Sequence, residues 1–177
     1  SLLGLHYGRS GPAIEPFAYL DVGPTTDFAA TSRPTNDGAL NFEDLVVFAL
    51  NYNPAVSAPA PGGNPGGVAG SDAIVLEAPE RVTPGAPVTV RLPMHGTGRV
   101  LGLSVRLGWD PAVVRPRSWS AGTLVTEQGG VVLSPAPGTV DGVVYAAQGT
   151  GITGDGELAA LEFDVISAGD PGFRIAS

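Results

Sequence analysis

Val100-Leu101-Gly102-Leu103-Ser104-Val105-Arg106-Leu107-Gly108-Trp109, closed by Asp110-Pro111, is the stretch on which the fold turns. Leu101, Leu103, Val105 and Leu107 occupy alternate positions. Successive side chains of a strand point to opposite faces, so this run reads as a strand with one buried and one wet side. Asp110-Pro111 is a turn-starting pair that ends it. Val88, Val90 and Leu92 alternate with Thr89 and Arg91 in the same way. Further apolar runs lie at Ala73 to Ala78, Pro87 to Met94, Gly130 to Ser134, Thr139 to Gln148 and Gly156 to Ile166. Turn signals separate them at the intervals of a two-sheet sandwich. Apolar residues make up 43% of the 177, enough for a core, while 26 Gly and 17 Pro punctuate the chain too often for long helices. The expected fold class is mainly β: an antiparallel β-sandwich over residues 72–177, with a small loop-helix segment before it.

That preceding segment reads differently. Phe42, Leu45, Val46, Ala49 and Leu50 have helical spacing, Asn41 is a good N-cap, and Glu43 and Asp44 sit in the first turn, where the helix dipole favours negative charge. Pro54 stops the helix. Residues 54–71 are Pro, Gly, Ala and Asn without periodicity, the composition of a linker. Residues 1–20 hold two strand-like runs, Leu2 to Tyr7 and Ile14 to Leu20, around the turn signal Ser10-Gly11-Pro12. They are expected to be the end of a preceding domain or a strand extension.

Between them, residues 21–53 carry the chemistry. An EF-hand loop surrounds Ca²⁺ with side-chain oxygens at positions 1, 3, 5 and 9, a backbone carbonyl at 7 and a carboxylate at 12, with Gly at 6 for the sharp turn. Asp37 to Asp44 fit positions 5 to 12: Asp37 the carboxylate, Gly38 the turn, Ala39 the carbonyl, Leu40 the apolar anchor, Asn41 the ninth position and Asp44 the twelfth. Counting back puts Arg33 and Thr35 at positions 1 and 3, and an arginine does not ligate a cation. Asp21-Val22-Gly23 supplies those positions if Pro24 to Asn36 bulge out as an insertion, from which Asp27 offers another oxygen. The candidate metal set is Asp21, Gly23, Asp27, Asp37, Ala39, Asn41 and Asp44. The expected ion is Ca²⁺ rather than Mg²⁺, because the ligands are many and not octahedral. The competing reading is an Asp-Gly turn leading into a capped helix.

All nine basic residues are Arg, and 17 carboxylates leave a net charge of −8, a surface that repels nucleic acid and anionic membranes. Cysteine is absent, so there is neither a disulfide framework nor a thiolate site. No apolar run reaches the length needed to span a bilayer as a helix. With no initiator Met, the chain is expected to be a fragment of a longer protein. Gly149 to Gly154 matches GxGxxG, but a Gly-rich turn and a strand follow where a dinucleotide site needs a helix, so it reads as a hairpin loop. His6 and His95 lie far apart and without a nucleophile context. Trp109 and Trp119 read as core, with sugar stacking as the rival.

Asp37-Gly38 through Asp44, followed by Leu45-Val46-Val47-Phe48-Ala49-Leu50, resembles one half of a dockerin. Residues 72–176 resemble a cohesin domain: Gly102-Leu103-Ser104-Val105 leading to Trp109-Asp110-Pro111, then Val144-Tyr145-Ala146-Ala147, then Gly154-Asp155-Gly156-Glu157-Leu158-Ala159 running into Leu161, Phe163 and Val165. The family's last strand is only partly present, around Phe173-Arg174-Ile175. The cohesin resemblance implies a jelly-roll type sandwich and a non-catalytic, extracellular or cell-surface scaffold with protein partners of dockerin or cohesin type, in a polysaccharide-associated assembly. A self-assembling surface-layer or fibre subunit that exchanges strands, and a carbohydrate-binding module, are the alternatives.

Overall fold

The computed structural model describes residues 2–25, 33–51, 70–145 and 150–176. Asp27, most of the 54–71 linker, and Ala146 and Ala147 lie outside them.

The sandwich expected from alternation is present. One sheet has the order β1 (Ala73–Ile74), β2 (Val88–Thr97), β7 (Thr153–Val165), β4 (Val114–Ala121). The other has the order β5 (Val131–Leu133), β6 (Thr139–Val143), β3 (Gly102–Gly108), β8 (Arg174–Ile175). Every pairing is antiparallel. Val90, Leu92 and Met94 of β2, Val105 and Leu107 of β3, Val114 of β4, Val132 and Val140, and Leu161 and Phe163 of β7 meet in a single core between the sheets. Trp109 and Phe173 pack edge-on against Phe163, with ring centroids 5.3 and 4.9 Å away.

The register carries two bulges. Leu92 faces Ala159 while Pro93 faces Glu157, leaving Leu158 as an extra residue in β7. Pro93 has no N–H to give a ladder, and an irregularity is where a strand tolerates it. The bulge turns both Leu158 and Ala159 into the interior, which strict alternation does not allow. In β4, Arg117 is the extra residue between Pro116 and Ser118. At the start of the sandwich, the Asp72 carboxylate accepts the Thr97 N–H (2.7 Å) and the Thr97 hydroxyl. Those bonds, the backbone one first, hold its pKa below the usual carboxylate range.

Three sequence expectations are corrected. The runs Leu2 to Tyr7 and Ile14 to Leu20 are not strands: α1 spans Leu2–His6, and Gly11–Leu20 wind as 3₁₀ turns broken at Phe17. Ser10 is extended, Gly11 has φ +61°, and Pro12 at the start of the turns has its φ pre-set for them. The Gly149–Gly154 region is not a hairpin, because β6 and β7 belong to different sheets. Gly149 lies outside the described residues; within the rest, Gly151 N–H donates to the Gly98 carbonyl and Ile152 N–H to the Val100 carbonyl. Finally, β4 and the short helix α3 (Thr123–Thr126) were not foreseen.

The helix α2 spans Phe42–Asn51, beginning directly after the expected N-cap Asn41. Leu45 and Ala49 of α2 are buried with Leu3, Ile14 and Leu40 in a second cluster, so residues 2–20 fold together with 33–51. Val143 belongs to this cluster, and Val131, Leu133 and Tyr145 pack against it. The segment therefore lies on the outward face of the second sheet.

Candidate functional site

The loop around Asp21 is assembled by backbone N–H groups converging on carboxylates. Asp21 Oδ2 accepts the Gly38 N–H (2.9 Å) and Oδ1 the Asp37 N–H (3.3 Å). The Asp21 carbonyl accepts Asn36 Nδ2. Asp21 is thus joined to Asp37 and Gly38, although 16 and 17 residues separate them in the chain. Gly38 has φ +79°, the left-handed conformation that the turn glycine requires.

Asp44 does two jobs at once. Its Oδ2 accepts the Asn41 N–H (2.8 Å), and Asn41 Oδ1 accepts the Glu43 N–H (2.8 Å), which closes a capping box at the start of α2. Its Oδ1 accepts the N–H groups of Val22 (2.7 Å) and Gly23 (2.8 Å), tying the upstream strand of the loop to the helix. A Cβ at Gly23 would press on the backbone of Glu43 and Asp44, so the close approach needs glycine. Asp44 is fully buried and Asp21 nearly so. Burial pushes the Asp44 pKa above its ordinary value; the three N–H groups oppose that, and the nearby Asp21 charge adds to it.

The other candidate ligands are arranged as follows. Asp37 Oδ1 accepts the Ala39 N–H (2.9 Å), and Oδ2 accepts Asn41 Nδ2 (3.2 Å). Asp21, Asp37, Asn41 and Asp44 therefore form one hydrogen-bonded loop, with Gly23 and Ala39 as donors into it. As folded, no three acidic or histidine side chains among the described residues converge as metal ligands.

A second feature escaped the sequence reading. Asp141 of β6 points outward from the sandwich, is 1% exposed, and accepts the Tyr7 hydroxyl at 2.6 Å. Its Oδ1 has no hydrogen-bond partner among the described residues. No local pattern links Tyr7 to a residue 134 positions away; the only available signal was a charged residue inside an apolar strand. Of the two tryptophans, Trp109 is used by the core, whereas Trp119 is 39% exposed. It lines a cleft of about 270 Å³ with Pro116, Pro135 and Glu162.

Residues 73–176 match the family model described as Cohesin domain. No curated protein matches the chain. Among solved structures it is similar to a non-cellulosomal cohesin from the hyperthermophilic archaeon Archaeoglobus fulgidus, at 18% identity over 60% of this chain and 78% of that one, with a TM-score of 0.43. It is also similar to the sixth cohesin of scaffoldin B from Acetivibrio cellulolyticus, solved in complex with the Cel5 dockerin, at 20% identity over 61% and 83%, with a TM-score of 0.47. A third is CaCohA2 from Clostridium acetobutylicum, at 19% identity over 59% and 74%, with a TM-score of 0.43.

Proposed function

Because this chain belongs to the cohesin family, we propose that its sandwich is a non-catalytic module that binds protein partners of dockerin type, in an extracellular or cell-surface setting. The observation that carries the reading is the family match over residues 73–176. The partner class is the one that the Acetivibrio cellulolyticus relative holds in its complex. The test is calorimetric titration of the full chain with a panel of dockerins in CaCl₂. Saturable one-to-one binding by at least one of them is expected; no heat from any member, with the sandwich folded by circular dichroism, would overturn the reading.

The same proposal makes the 21–44 loop a calcium-ordered element, structural rather than catalytic. Its support is the burial of Asp21 beside Asp44, two carboxylates whose mutual repulsion a cation would relieve, and the turn glycine Gly38 bonded to Asp21. Asp21, Asp37 and Asp44 would hold the ion, and Asn41 or the Ala39 carbonyl would complete its shell. Ca²⁺ titrated into chelator-treated protein should bind at or below millimolar concentration, protect residues 21–51 from protease, and do neither in Asp21→Ala. Equal cleavage with and without chelator counts against the calcium reading and leaves the sandwich's role untouched.

A further inference from the structure

Strand β4 ends the first sheet, which leaves one flank of the sandwich open beside it. The register sets Pro116 opposite Phe163 and Trp119 opposite Leu161. Residues directly opposite share a face, so Pro116 and Trp119 lie on the side of the buried Leu161 and Phe163. With no described strand beyond β4 to cover it, Trp119 stays 39% exposed. The facing wall is the β5–β6 connection, Ser134 to Gly138. Pro135 and Pro137 stiffen it, because the proline ring fixes φ. The turn is pinned by the Thr139 N–H (3.0 Å) and the Ser134 hydroxyl (3.1 Å), both donating to the Ala136 carbonyl, and by the Leu107 N–H donating to the Gly138 carbonyl (2.8 Å). The cleft between these walls, about 270 Å³, is therefore preformed, and it has the size of the smallest ligand sites, which begin at about 300 Å³.

Polar groups stand at its rim. Arg117 is the extra residue of the β4 bulge, and a bulge re-aims the side chain it carries. Its guanidinium lies 3.5 Å from Asp164 Oδ1, and Arg115 shares that carboxylate through Oδ2 at 3.3 Å. Glu162, which lines the cleft with Arg117 and Ser118, accepts the Ser118 hydroxyl on Oε2 at 2.7 Å. A guanidinium has several donors and a carboxylate several acceptor sites, so these few bonds leave both able to engage a ligand. Arg115 and Arg117 balance Glu162 and Asp164, and the rim carries no net formal charge.

We propose that this cleft binds one pyranose unit of a neutral oligosaccharide or polysaccharide. The C–H face of the sugar ring stacks on Trp119, and its hydroxyls, each both donor and acceptor, donate to Glu162 and accept from Arg117. A few placed polar groups around an aromatic wall are the usual make-up of a small-molecule site. Other occupants fit less well. An added peptide strand needs an unbroken edge, whereas Pro116 offers no N–H and the bulge interrupts the ladder. A nucleic acid meets a chain of net charge −8. The inference goes beyond the protein-partner reading and does not rest on it.

The full chain is to be screened on an array of neutral gluco-, xylo-, manno- and galacto-oligosaccharides, and each binder titrated by calorimetry. At least one should bind saturably, with a Kd of about 1 mM or tighter. Trp119→Ala should weaken it about tenfold, and Trp119→Phe less. Glu162→Gln, a change of matched shape at an exposed residue, should weaken it severalfold; it carries the test if Trp119→Ala does not fold by circular dichroism. An array without a binder overturns the proposal, as does a binder whose affinity none of these substitutions moves. Capture of a proline-rich peptide in place of any sugar, lost in Trp119→Ala, overturns it as well.

Discussion

Asp141 and Tyr7 show how much a single contact can hold. The carboxylate is out of water, it receives one hydroxyl at 2.6 Å, and its other oxygen is unpaired among the described residues. Burial first, then the hydrogen bond to Asp141 and the charges of Asp141 and Asp44, push the Tyr7 phenol far above its ordinary pKa, so it stays a donor through the whole working pH range. Tyr7→Phe keeps the ring but strips a buried carboxylate of this donor, a change worth about 1–3 kcal/mol. Urea unfolding should register that loss, and Tyr7→Phe with Asp141→Ala should recover part of it, because no charge is then stranded. A Tyr7→Phe midpoint equal to that of the unmodified protein would show that the contact carries no stability. At this scale, local signals served well where the partners are close in the chain. Asn41, Asp44 and Gly38 declare their cap and turn by spacing alone. Asp21 was reached by matching the loop pattern across an insertion. Tyr7 and Asp141 were invisible, because nothing in the composition of either neighbourhood refers to the other.

Among the elements, β7 is the spine of its sheet, paired with β2 on one side and β4 on the other. Its bulge at Leu158 is clamped by Gly122, whose N–H donates to the Leu158 carbonyl at 2.9 Å. Gly122 has an ordinary φ of −77°, so its requirement is space and not conformation. A Cβ there would overlap the Glu157 carbonyl oxygen. Gly122→Ala should therefore destabilise the sandwich by about 1–3 kcal/mol through a forced backbone shift, seen as a lower thermal midpoint; an unchanged midpoint would mean that β4 and β7 separate without strain. Strand β4 went unread because Arg115, Pro116, Arg117, Ser118 and Ser120 present no apolar alternation. It is an edge strand, largely exposed, and edges tolerate Pro and charge. The 3₁₀ turns of residues 11–20 went unread for the opposite reason: a short apolar run between turn signals looks the same whether it winds or extends.

At the scale of the whole molecule there are two apolar clusters of unequal standing. The sandwich core draws on both sheets and on long-range strand pairing, whereas the 2–51 cluster is built from short helical pieces resting on one sheet face. Local opening is easiest where few buried contacts must be broken. In hydrogen exchange, amides of α2 should therefore lose protection well before those of β2 and β7, and Leu40→Ala, at a residue with no exposure, should widen the gap. Identical exchange in α2 and β7 would mean that the segment and the sandwich open as one unit. The sequence by itself determined the class and most strands of the sandwich, the capped helix and the acid-rich loop, since each rests on periodicities and turn chemistry that neighbouring residues enforce. Only the tertiary structure decided that the N-terminal segment is helical and lies on the outward face of the second sheet. That choice depends on burying Leu3, Leu40, Leu45 and Val143 together and on a phenol meeting a carboxylate, contacts between residues too far apart in the chain for any local rule to connect.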